Sequence, residues 1–182
     1  VYSMLARAAK SDASAKAIPL AVQHLGTGVR RRGHVLQLTD NDRFDGPVRD
    51  QLEAFVTKTA ESAEAGGSGA VGSVALLANI EFDALGDVAE ELLTPQTPVP
   101  LQLAVVRALG EHPGDDAAET LLEAWSIYTP QVRQAAIDSL TRSNQRIELL
   151  LAALKSGTIK ISEIAPDKRQ TLLNPPRKPI AD

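Results

Sequence analysis

The side chains able to do chemistry are few in this chain and scattered along it. Histidines stand at His24, His34 and His112, and no two have the i, i+4 spacing that sets a pair of imidazoles on one helical face. A metal site built from them would depend on tertiary proximity, and the pattern favours solvated or hydrogen-bonded histidines instead. The chain has no cysteine, which removes disulfides, thiolate metal sites and thiol nucleophiles together and leaves the compartment open. No serine lies in a nucleophile-elbow motif, so a Ser/His/Asp triad has no anchor.

Two motifs invite a sharper reading. The run Asp40-Asn41-Asp42-Arg43-Phe44-Asp45-Gly46 offers the clustered oxygens a hard cation wants. In a calcium-loop frame starting at Asp40, however, Phe44 takes a ligand position, Gly46 falls one place late and the twelfth position is Gln51. A capped turn into a helix at Pro47 accounts for the same residues. The stretch Gly66-Gly67-Ser68-Gly69-Ala70-Val71-Gly72-Ser73 has the glycine content of a phosphate cradle, but it follows a helix and lacks the lysine of a P-loop, so it reads as a flexible loop. No catalytic, cofactor-binding or metal-binding residue is assigned.

The elements that would position any site are helices. Apolar residues recur at helical spacing in Val48, Leu52, Phe55 and Val56, in Leu85, Val88, Ala89 and Leu92, in Ala118, Leu121, Leu122 and Trp125, and in Ile147, Leu150, Leu151 and Leu154. Period-two alternation is confined to the short Val35–Leu38 and Ile159–Ile164 pieces. Apolar residues make up 43% of the chain but only six are aromatic, so the core must be closely packed Ala, Leu, Val and Ile. Breakers fall between the stripes. Asp45-Gly46-Pro47 and Thr129-Pro130 have the form of helix starts, and Gly110 and Gly157 sit where αL caps end helices. Three prolines make Thr94–Pro100 an extended connector until Pro100 itself starts a helix, and Ser162 or Pro166 opens a shorter turn.

Charge narrows the partner class. With 23 acidic residues against 19 Lys plus Arg, the formal charge of −4 argues against a duplex nucleic acid partner, which needs many cations on one face. Arg30, Arg31 and Arg32 are the one run of a single sign, and at a helix end they complement the helix dipole. No apolar run has membrane-spanning length and no signal-peptide pattern is present. The start at Val1 and the end at Pro179-Ile180-Ala181-Asp182 are what a piece of a longer protein would show.

Leu101–Leu109 aligns without gaps on Val132–Leu140, 31 residues later, and Ala21–Gly26 echoes Val105–Gly110. A helix pair that cannot cover its own apolar face gains a continuous core by stacking on copies of itself, and a bundle gives no reason for such an echo. The expected fold is therefore all-α, a HEAT-like superhelix forming a right-handed solenoid of antiparallel helix pairs. It divides into less regular repeats over 1–65, a flexible loop over 66–72, and tighter repeats over 73–182 with the last cut short. The repeat positions are Leu109, Gly110, Trp125, Pro130, Val132 and Leu140. Trp125 reads as an anchor between repeats, with a surface hot spot as the alternative. Arg133 reads as a bridge between neighbouring repeats, with a partner contact as the alternative.

Thr129-Pro130-Gln131-Val132-Arg133-Gln134-Ala135-Ala136 has the look of a HEAT second helix. Together with Leu101–Leu109, Leu121-Leu122-Glu123-Ala124-Trp125, Leu140, Leu149–Gly157 and Lys168–Asn174, it resembles the HEAT-repeat region of large planctomycete-type proteins. Those proteins join a sugar-dehydrogenase-like propeller to HEAT repeats and a haem-c domain. The resemblance runs from about Ser73 to Asn174 and implies a periplasmic or secreted setting. The family's haem is attached through Cys-x-x-Cys-His, which this chain lacks, so the resemblance brings no cofactor to these residues. The functional expectation is a non-catalytic scaffold or protein-interaction module, partnered by protein or by neighbouring domains of its own chain. The alternative is an accessory domain shaping an electron-transfer interface in a redox protein of that family. By helical phase, Gln102, Arg107, Arg133, Gln134 and Asp138 form the candidate interaction surface.

Overall fold

The computed structural model describes residues 1–39 and 43–173. Over these residues the chain is all-helical, in the order α1 (Tyr2–Ala9), α2 (Ser14–Arg30), α3 (Gly46–Glu64), α4 (Ala70–Leu77), α5 (Phe82–Leu92), α6 (Val99–Glu111), α7 (Asp116–Glu123), α8 (Pro130–Leu140), α9 (Asn144–Ser156) and α10 (Pro166–Leu173). Two 3₁₀ turns, Ala124–Ile127 and Ile161–Glu163, lie before α8 and α10.

Local chemistry sets the helix starts. Asp45 accepts from the Val48 amide at 3.2 Å with Pro47 in the first turn of α3, and Thr129 accepts from the Val132 amide at 3.4 Å before Pro130. Ser143 caps α9 in the same way through the Arg146 amide, and Gly157 ends that helix in the left-handed region at φ 81°. From α3, Val48, Leu52, Val56, Thr59 and Ala63 are buried at steps of three and four. Each fully buried Leu or Val of such a stripe contributes about 1.5–3 kcal/mol.

Packing follows chain order. Each helix from α1 to α6 lies against both its successor and the helix after that, and α7 and α8 both pack on α9. Odd-numbered helices therefore touch odd ones and even-numbered touch even ones, in two adjoining runs with a shared apolar layer between them. Within the even run two contacts are made through glycine. A Cβ on Gly26 of α2 would lie 2.7 Å from Cγ of Asn79, and one on Gly110 of α6 would lie 2.7 Å from Cβ of Ser139 on α8.

Several local expectations change. Ala70, Val71 and Gly72 belong to the first turn of α4, so the loop shortens to 66–69, with Gly66 and Gly67 at positive φ. That loop joins two helices packed on one another and is a hairpin connection. The α7 helix stops at Glu123, and Trp125 sits in the 3₁₀ turn that follows. Gly110 lies inside α6 without a positive φ, so its smallness serves the approach of Ser139 and not an αL cap. Of the alternating pieces, Leu36 makes an isolated parallel bridge to Ile80, and Ile161–Glu163 is a 3₁₀ turn. No helix among the described residues is long and apolar enough to cross a membrane.

Candidate interaction surface

The five candidate surface residues do not form one patch. Gln102 is buried at 3% exposure, which corrects its reading as an outer-face residue. Its Nε2 donates to the carbonyls of Thr94 at 2.6 Å and Thr97 at 3.1 Å, so the proline-rich connector folds back over that side of α6 and takes the amide as its anchor. The Thr94 carbonyl also accepts from the Thr97 amide at 3.2 Å, so the proline-rich turn is closed by its own backbone and by the Gln102 amide together. Arg107, one and a half turns further along α6, is exposed.

On α8, Arg133 and Asp138 meet the segment that follows α9, and Gln134 bonds to Asp138 on its own helix. Arg133, 31 residues after Gln102, donates through Nη1 to Oε1 of Glu163 at 2.5 Å and lies 5.7 Å from the Trp125 ring. The other carboxylate oxygen of Glu163 accepts from Trp125 Nε1 at 3.3 Å and from the Lys160 amide at 2.9 Å. These donors hold the Glu163 carboxyl below its ordinary value, with the Lys160 amide as the largest cause. Asp138 pairs with Lys168 of α10 at 2.8 Å and accepts from Gln134 at 3.4 Å. Arg133 and Asp138 thus clamp the next part of the chain onto α8. Trp125 is buried as an anchor, edge-on to Tyr128 with ring centroids 6.1 Å apart. Leu109, Val132 and Leu140 are fully buried and Pro130 occupies the first turn of α8.

Sequence reasoning missed two polar centres. Arg146 of α9 is buried and donates to the carbonyls of Leu109 and Gly110, each at 3.1 Å, and to that of His112. It closes the C-terminal end of α6, where unpaired carbonyls carry partial negative charge. No signal in the sequence marks this, because the acceptors lie 34 to 37 residues upstream. Glu81 accepts from the amides of Leu38 at 2.9 Å and Thr39 at 2.7 Å, fixing the segment after α2 against the start of α5.

The histidines stay apart in role. His24 and His34 are exposed, while His112 is buried and hydrogen-bonded. Of the acidic run, Asp40, Asn41 and Asp42 lie outside the described residues. Phe44 is buried edge-on to Tyr2, and Asp45 pairs with Lys10 at 2.8 Å. Among the described residues no group of three or more His, Cys, Asp or Glu is placed to hold a metal. The geometry therefore offers clamped helices and exposed helix faces, with the polar clusters largely paired within the chain and Gln102 Oε1, Tyr128 OH and Arg133 Nε buried without a hydrogen-bond partner. In comparisons with known proteins, no family model, no curated protein and no solved structure matches this chain.

Proposed function

We propose that this chain is a HEAT-like helical-repeat scaffold, a non-catalytic module that holds other polypeptide segments on its stacked helices. One observation carries the reading: every helix from α1 to α6 packs on the next and on the one after it, and among the described residues no extended packing joins helices further apart in order. Stacked helix pairs require that adjacency. The 31-residue echo supports it in kind, since Ala108 and Ser139, and Leu109 and Leu140, are buried at matching places of α6 and α8.

Charge supports a protein partner over nucleic acid. Helices α5 and α7 carry Asp83, Asp87, Glu90, Glu91, Asp116, Glu119 and Glu123 with no Lys or Arg, and a phosphate backbone is repelled from such a face. Arg107 on the even-numbered run is the exposed candidate position left uncovered by the chain's own connectors.

Excision tests the architecture. Deleting residues 110–140 removes one 31-residue period and joins Leu109 to Thr141, as Leu140 is joined in the native chain. A stacked array keeps a helical circular-dichroism spectrum and a cooperative melt after this deletion, and loses both when only 110–125 is removed. Unfolding by both deletions would overturn the repeat reading. Because the chain has no cysteine, Arg107→Cys and Glu90→Cys give unique attachment points for a photo-crosslinker. Protein adducts at position 107 and not at 90 are expected, and equal labelling at both would remove the even run as the docking side.

A further inference from the structure

His112 follows α6 and meets α5, α9 and the residue that ends the turn after α4. Its Nε2 faces the carbonyl of Ile80 at 3.2 Å, just after α4, and its Nδ1 accepts from the Gly114 amide at 3.2 Å. An amide can donate only to an unprotonated nitrogen, so this pair of partners selects the neutral ring with the proton on Nε2. The ring stands edge-on to Phe82 at the start of α5, with centroids 5.5 Å apart, and its own carbonyl is held by Arg146 of α9. A Cβ on Gly114 would lie 3.2 Å from Nδ1 and Cε1, so the loop is seated closely on the ring. Residues 112–114 also form one wall of a cleft of about 520 Å³, whose other walls include Tyr2, His34 and Arg43.

We propose that His112 is an acid-sensitive joint: neutral, it ties the loop 112–114 to the α4–α5 junction, and protonated, it releases that loop and the wall of the cleft. The proton added at Nδ1 converts an acceptor into a donor pointing at the Gly114 N–H, and one of the two hydrogen bonds is lost. The charged surroundings oppose the added charge on balance. Arg146 from α9 and Arg30 from α2 both disfavour it, Asp116 from α7 favours it, and Glu111 on α6 is engaged by Arg30 at 2.5 Å. Across the cleft stand the cation Arg43 and the imidazole of His34. Burial is the largest cause, and it lowers the His112 pKa below the ordinary value.

The test is a titration of the full chain labelled with ¹³C and ¹⁵N histidine, with His112 assigned by the signal missing from His112→Gln. Expected are an Nε2–H tautomer at pH 7.5, a midpoint below the usual value of about 6.5, and loss of exchange protection at the Gly114 amide over the same pH range. The glutamine variant keeps a donor for Ile80 but cannot titrate. Its melting temperature should therefore fall less than that of the native chain between pH 7.5 and 5. A His112 midpoint at or above the usual value, or unchanged Gly114 protection through the titration, would overturn the proposal. Should the glutamine variant fail to fold, His24→Gln and His34→Gln, at exposed positions, assign His112 by elimination, and the native-chain titration and Gly114 exchange decide.

Discussion

Arg146 sets its charge against backbone carbonyls, and the free energy at stake follows from what their removal leaves behind. In Arg146→Met the stem still packs, but the carbonyls of Leu109, Gly110 and His112 lose their shared donor in a buried place. The expected loss is about 2–4 kcal/mol, read as a lower urea midpoint at unchanged slope, and a loss under about 1 kcal/mol would show that water serves those carbonyls equally well. Glu163 makes a different prediction, in pH. Its carboxyl is lowered in the folded chain, so its contribution is present above the unfolded value and is lost as pH falls through the folded one. Native and Glu163→Gln chains should differ in melting temperature by a constant amount above pH of about 5, and the gap should shrink progressively as pH falls below the unfolded value of about 4.3. A gap that does not shrink as acid is added would mean that shape, not charge, holds the segment on α8.

Between elements, the approach of α6 to α8 depends on the missing side chain of Gly110. A methyl there meets Ser139, whose backbone position is fixed by α8 and whose hydroxyl donates to the Ala135 carbonyl at 3.0 Å. Gly110→Ala should destabilise by about 1–3 kcal/mol through overpacking, and Gly110→Ala with Ser139→Gly should recover part of that loss. A non-additive rescue in a denaturant double-mutant cycle checks the contact, and strictly additive effects would refute it. Gly26 against Asn79, just past α4, is the same device two stages earlier in the even run. The clamps at α8 are of another kind, for Glu163 and Lys168 fasten later chain to Arg133 and Asp138 through half-exposed pairs. Such pairs orient more than they stabilise.

At the scale of the molecule, helix packing among the described residues is concentrated between elements one and two places apart, and in a stacked array that would make stability local. Val132→Ala truncates a fully buried side chain in the first turn of α8. In a stacked array it should raise amide exchange in α8, α9 and α10 while leaving α1 to α3 protected. Exchange accelerated equally over all ten helices would instead describe one indivisible core. The acidic α5 and α7 faces set the long-range field, and that field bears on partner choice and not on the fold.

Much of this chain was legible from its residues alone, and the reason is that helix formation is a local matter. Asp45-Gly46-Pro47, Thr129-Pro130 and Gly157 mark helix ends through bonds to neighbours three or four residues away, and the apolar stripes name the buried sides. The candidate surface was only half legible. Helical phase tells which way a side chain points from its own axis, and it correctly buries Val132 and Leu140. It does not tell what else lies in that direction. Gln102, three, four and seven residues before the buried Val105, Val106 and Leu109, lies on the buried side of α6, and its phase does not show that the Thr94 and Thr97 carbonyls take its amide there. Arg146 and His112 find their partners on other helices, tens of residues away. Sequence alone determined the helices and the spacing of their echo; which polar groups remain free for a partner was decided only when the connectors and the neighbouring helices came to rest on them.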